Sequence, residues 1–127
     1  MFREDATEYK AKAEAVRQAE IFHESYAISV CPSQGLQSPT VIGAQAANEL
    51  LIIVGIKASF VFTEYQNMIY ISARSIDEVN VQVIMEKLGG GGHMNIAGAQ
   101  MENTTMENAI QILKNTLDNM IKEGDIS

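Results

Sequence analysis

Four consecutive glycines, Gly89 to Gly92, run directly into His93. Each glycine gives up roughly 0.5–1 kcal/mol relative to alanine when it sits in regular structure, so a run of four between ordered elements needs a reason. One or two would serve as a helix C-cap and a tight turn. Four suggest a bare backbone that a ligand can approach, with N–H groups converging on an anion and the start of a following short helix adding its positive end. The spacing is neither the dinucleotide fingerprint nor the Walker loop, which needs a Lys-Ser/Thr end. His93 could donate to a phosphate oxygen, and a bound dianion would favour the charged imidazolium. The competing reading, a histidine that satisfies local carbonyls, loses weight beside the glycines.

Arg74 is the other candidate. It is the sole cation between Lys57 and Lys87, and it stands where a strand gives way to a loop. Guanidinium groups clamp phosphates with paired hydrogen bonds, although a solvated strand-end arginine is an equally good account of the residue alone. Ser72 and Ser75 flank it and could add hydroxyl donors. The sequence offers no Asp/His cluster suited to two metals, no Ser-His-Asp set and no Cys-His pair. The second histidine, His23, has no partner at ligand spacing, so no metal site is expected. These residues suit recognition better than cleavage.

Charge limits what can be recognised. Nine Lys+Arg stand against sixteen Asp+Glu, a net charge of −7, and four of the cations (Arg3, Lys10, Lys12, Arg17) lie in the first segment. A chain that held nucleic acid by nonspecific phosphate contacts would carry a basic stripe. Here a nucleotide must be held by a few aimed groups. The 127 residues suffice for one domain with its own core, and 46% hydrophobic content excludes disorder. No apolar run approaches the ~20 residues of a membrane span, and the charged residues 1–22 do not read as a signal peptide. The single cysteine, Cys31, has no internal partner and suits a reducing compartment.

The elements that must position these groups follow from periodicity. Residues 3–22 form an amphipathic helix in this reading, with Phe2, Ala6, Tyr9, Ala13 and Val16 on its apolar side. A strand over 26–31 ends at Pro32, and a loop covers 32–39. A largely apolar, buried helix is expected over 40–54, stopped by Gly55. Strands over 56–63 and 68–74 flank the turn 64–67 as a hairpin. A helix over 79–88 with Val81, Ile84, Met85 and Leu88 inward precedes the glycines. A short strand at 99–102 and a last helix follow, the helix opening at Thr104-Thr105-Met106-Glu107 with capping-box spacing. The expected fold is α/β: a mixed sheet of about four to five strands flanked by helices, in a single domain over 1–127.

With these residues in place, the chain resembles a known family. Val79 to His93, with Asn95, Ala97 and Gln100 beyond, is similar to the C-terminal DHH-associated domain of DHH-family phosphoesterases, most of all the GdpP-type cyclic-di-AMP phosphodiesterases. Ile69 to Ser75 resembles that family's strand with a substrate-facing arginine, and Thr40 to Ala47 its buried helix. The resemblance implies that Gly90, Gly91, Gly92 and His93 hold substrate phosphate or base, that Arg74 binds a phosphate, and that Asn95 adds a polar contact. It places the Asp-His-His motif and its manganese in a preceding domain of the same parent chain, so this fragment alone should be inactive and carry no cofactor. The implied ligand is a cyclic dinucleotide or short oligonucleotide. The implied setting is the cytoplasmic part of a parent anchored in the membrane, without membrane contact by this domain; a homodimer is left open. One departure is Asn95-Ile96-Ala97-Gly98-Ala99-Gln100, where such relatives read Asn-Ala-Ala-Thr-Gln. Gly98 keeps one alternative in view, the end domain of a short-oligonucleotide exonuclease; a non-catalytic nucleic-acid-binding accessory domain is a further reading of another class.

Overall fold

The structure is a computed structural model, and it describes residues 5–127. Helix α1 (Ala6–Arg17) leads into strands β1 (Glu20–Phe22) and β2 (Tyr26–Val30), then α2 (Pro39–Leu50), β3 (Ala58–Tyr65) and β4 (Met68–Ser75). Helix α3 (Val81–Lys87), strands β5 (Gly91–Gly92) and β6 (Ile96–Glu102), and α4 (Met106–Lys122) complete the chain. The six strands form one sheet in the order β1-β2-β3-β4-β6-β5. Only β2 and β3 pair in parallel, joined by the α2 crossover; the other neighbours are antiparallel. The class is the expected α/β mixed sheet, with one strand more than the expected upper count.

Helices cover both faces. Tyr26, Phe60, Phe62, Ile71 and Ala99 meet Ile84, Met85, Leu113 and Leu117 of α3 and α4 on one side. On the other, Ala27, Cys31 and Val61 meet Ala11 and Ala15 of α1 and Ile42, Ala46, Ala47 and Leu50 of α2. Buried serines tie this second layer down: Ser29 Oγ donates to the Ala15 carbonyl, and Ser59 Oγ donates to the Ala47 carbonyl at 2.6 Å. Burial pushes the Cys31 thiol up to about 11, so at neutral pH it packs as a small protonated hydrophobe.

The expected hairpin is present but tighter. Gln66 and Asn67 both have positive φ, and Tyr65 pairs with Met68, so the turn has two residues rather than four. The expected first helix is shortened: α1 ends at Arg17, and Glu20–Phe22 form β1. Its expected apolar stripe is also displaced, because Ala11 and Ala15 are buried while Tyr9 is 62% exposed; Phe2 and residues 3 and 4 lie outside the described residues. Small side chains let α1 approach the sheet and α2 closely, which a bulky stripe would prevent. Helix α2 stops at Leu50 and buries one side only, leaving Ile52 and Val54 exposed in the turns beyond it. In α4 the cap is one residue later than expected: Thr105 Oγ1 accepts from Asn108 N–H at 3.1 Å.

Candidate functional site

Strand β4 alternates between partly exposed and buried positions along its length, whereas Ala58 to Thr63 of β3 are buried throughout. The cause is the position of α2. It lies over β3 and beside β4, so the outer part of that sheet face (β4, β6, β5) is left as a groove. Register fixes what the groove presents. Arg74 pairs with Ile96, Ser72 with Gly98 and Tyr70 with Gln100 across β4–β6, and Gly91 pairs with Gly98 across β6–β5. The ladder closes with His93 N–H donating to the Ile96 carbonyl at 2.7 Å. Residues two apart share a face, so Arg74, Ile96 and His93 form one row, and Ser72, Gly98 and Gly91 form the next. A cavity of about 500 Å³ occupies the part of the groove lined by Tyr70, Ser72, Gly98 and Gln100, with Thr40 of α2 on one wall and Gly89 and Gly90 on the other; Arg74 and His93 stand outside its lining.

Arg74 is held from both sides. Its Nε donates to Asn48 Oδ1 of α2 at 3.1 Å, and a terminal nitrogen donates to the Ala73 carbonyl at 2.9 Å. Burial pulls its pKa below the ordinary arginine value. No described carboxylate pairs with it. A partly desolvated guanidinium without a counter-charge is a costly arrangement that an anionic ligand would relieve.

The four glycines do different work. Gly89 has φ +86 and follows α3 as its C-terminal cap, where Gly89 N–H donates to the Glu86 carbonyl at 3.1 Å and Gly90 N–H to the Met85 carbonyl at 2.8 Å. A Cβ on Gly90 would fall on the Gly98 carbonyl, and one on Gly92 would lie 2.6 Å from Ala97 Cα at an unfavourable φ of +145. Gly91 alone among Gly90, Gly91 and Gly92 has ordinary φ and open space where its Cβ would be. The expected cluster of free amides is therefore largely absent: the amides of Gly89, Gly90 and His93 are engaged within the chain. No short helix follows the glycines either; β5, a turn and β6 stand in its place. What the run supplies is a low wall.

This division predicts a stability pattern. Gly90→Ala and Gly92→Ala should each lower the melting temperature by several degrees, as steric strain of a few kcal/mol would in a domain of this size. Gly91→Ala should stay within about 2 °C of the parent. Equal losses at all three positions, measured by differential scanning fluorimetry, would refute it.

Asn95 lies apart from the groove. Its side-chain amide donates to Ser75 Oγ at 2.9 Å, while Ser75 Oγ donates to the Val79 carbonyl at 2.6 Å. The pair pins the β5–β6 turn to the end of β4. Sequence reasoning missed Asn48, Thr40, Tyr70 and Gln100 as groove residues. Only strand register and the placement of α2 bring them together, although Thr40, Tyr70 and Gln100 stand within the segments that carry the resemblance. Among the described residues, no group of three His, Cys, Asp or Glu side chains could hold a metal ion. The described residues therefore do not fit the manganese that the resemblance implies for the parent.

A mixed sheet with one half-open face sets Arg74, held by Asn48 and Ala73, at the side of a groove walled by glycines. The sequence matches the DHHA1 domain over residues 24–123, and the chain belongs to that family. It is 42% identical over 117 residues to the cyclic-di-AMP phosphodiesterase PdeA of Listeria monocytogenes, covering 91% of this chain and 18% of that protein. It is 37% identical over 125 residues to the cyclic-di-AMP phosphodiesterase GdpP of Geobacillus thermodenitrificans, covering 98% of this chain and 19% of that protein. An exopolyphosphatase-related protein from Bacteroides fragilis shares the fold with a TM-score of 0.80 at 18% identity, over 93% of this chain and 36% of that one. The chain thus spans less than a fifth of the length of these curated relatives. No helix among the described residues is long and apolar enough to cross a membrane.

Proposed function

We propose that this domain holds a small nucleotide, cyclic-di-AMP or a short linear dinucleotide, in the groove between α2 and the glycine segment. It presents the phosphodiester to a preceding DHH domain of the same parent chain. The observation that carries the reading is Arg74: partly desolvated, fixed by Asn48 and without a carboxylate. His93 stands across the same row, so a phosphate seated above Ile96 would be reached from both ends. Ser72 offers a hydroxyl in the next row, and the bare backbone of Gly91 and Gly98 leaves the floor open beside it. Arg74 is the only Lys or Arg in these rows, which suits a ligand with few phosphates better than a long polymer. The resemblance of the chain to phosphodiesterases named for cyclic-di-AMP agrees with this choice.

In this reading the chain binds and orients, and manganese chemistry belongs to the DHH domain. The parent would be anchored in the membrane with this part in the cytoplasm. Purified chain given manganese and cyclic-di-AMP should show no hydrolysis, while protein that includes the DHH domain hydrolyses it. Manganese-dependent turnover by the chain alone, followed by chromatography of the products, would overturn this division.

A further inference from the structure

The end of the groove away from Arg74 carries groups that a phosphate does not need. Tyr70 and Gln100 lie directly opposite each other across β4–β6, and Thr40 at the start of α2 closes that end. Tyr70 lies four positions before Arg74, about 13 Å along the strand. A ligand filling both ends must therefore extend well beyond one phosphate. The cavity at this end is lined by no Lys, Arg, His, Asp or Glu, so a second phosphate there would find no cation. Neither the Tyr70 hydroxyl nor the Gln100 amide has a hydrogen-bond partner among the described residues, and Gln100 is exposed. An aromatic face beside an amide that offers a donor and an acceptor together suits a flat heteroaromatic ring with a polar edge.

We infer that Tyr70 and Gln100 form a nucleobase subsite that prefers adenine to guanine. This rests on the nucleotide reading given above and adds which end of the groove takes the base and which residues read it. The Gln100 amide can donate to adenine N7 while its carbonyl accepts from the N6 amino group. Guanine places two acceptors, N7 and O6, at the same edge, so the glutamine carbonyl would face O6 unpaired. Tyr70 supplies a stacking surface that does not distinguish bases. Gly98 and Gly91 leave the floor beside Ser72 bare, so a sugar can lie across it.

The test is equilibrium binding of cyclic-di-AMP and cyclic-di-GMP to the full-length protein carrying this chain, in chelator so that no turnover occurs. Wild type should bind cyclic-di-AMP more tightly. Gln100→Ala should weaken cyclic-di-AMP about tenfold and change cyclic-di-GMP less than twofold, so that the preference collapses. Gln100→Met, which keeps the length and removes the hydrogen bonds, should do the same with an unchanged melting temperature. Tyr70→Ala should weaken both ligands together. An unchanged preference in both Gln100 variants would overturn the subsite. Arg74→Ala separates the two claims. If it weakens both ligands while the Gln100 variants leave the preference intact, only the base assignment fails. If it affects neither ligand, the groove is not the nucleotide site and both claims fall.

Discussion

Replacing Arg74 with alanine in the full-length protein should lower kcat/KM for cyclic-di-AMP at least about tenfold while leaving the fold intact. A hydrogen bond to a charged group is worth about 1.5–3 kcal/mol, and Arg74 can direct more than one donor at a phosphate. The stability side runs the other way. In the ligand-free domain the guanidinium is partly buried, its pKa is depressed by that burial, and no described carboxylate offsets it. Arg74→Met keeps the apolar stem and removes the charge. Its melting temperature should equal or exceed that of the parent, even though binding is lost. Arg74→Lys should recover only part of the activity, because an ammonium cannot both hold Asn48 Oδ1 and present a planar pair of donors. A clear fall in melting temperature, with catalysis by the folded fraction unchanged, would make Arg74 a structural residue.

The second large effect concerns the wall and rim opposite. Gly91→Val should be tolerated by the fold, because the position has ordinary φ, open space and a strand conformation. It should nevertheless cut cyclic-di-AMP affinity by at least about tenfold, since the new side chain would project into the groove beside Ser72 and Gly98. His93→Ala removes a donor from an exposed position without strain, and it too should lose about tenfold in affinity, or ~1.4 kcal/mol, at near-native melting temperature. Titrating cyclic-di-AMP and its linear product into both variants, with melting curves alongside, checks the pair. Normal binding by a destabilised His93→Ala would assign the histidine to the fold instead.

How much of this was legible in the sequence depended on whether the signal was local. The hairpin, α3 and α4 announce themselves through alternation, a polar turn and a 3.6-residue apolar period. Strand β1 was absorbed into the first helix because Ile21 and Phe22 continue its apolar content, and nothing in three residues marks a change of period. Strand β5 could not be seen at all. Two glycines have no strand preference, and they are extended only because β6 lies beside them. On α1 hydrophobicity points to Tyr9 as the inward residue, whereas close packing selects Ala11 and Ala15. Arg74, His93 and the glycines were legible by type. Their grouping with Asn48, Tyr70 and Gln100 required strand register and the position of α2, which no local pattern encodes.

The sheet ends on both sides in very short strands: β1 has three residues and β5 has two, both of them glycine. An edge strand carries unpaired backbone groups that can recruit another chain, and the hazard grows with the length of flat, regular edge on offer. Here neither border is long enough to template a foreign strand, and the φ of +145 at Gly92 turns the outer border away from regular extension almost at once. The molecule can therefore leave half a sheet face uncovered for a ligand without offering a seed for intermolecular β-pairing. Lengthening β5, for example by replacing the turn after Gly92 with residues that favour extended backbone, would remove that protection and favour self-association.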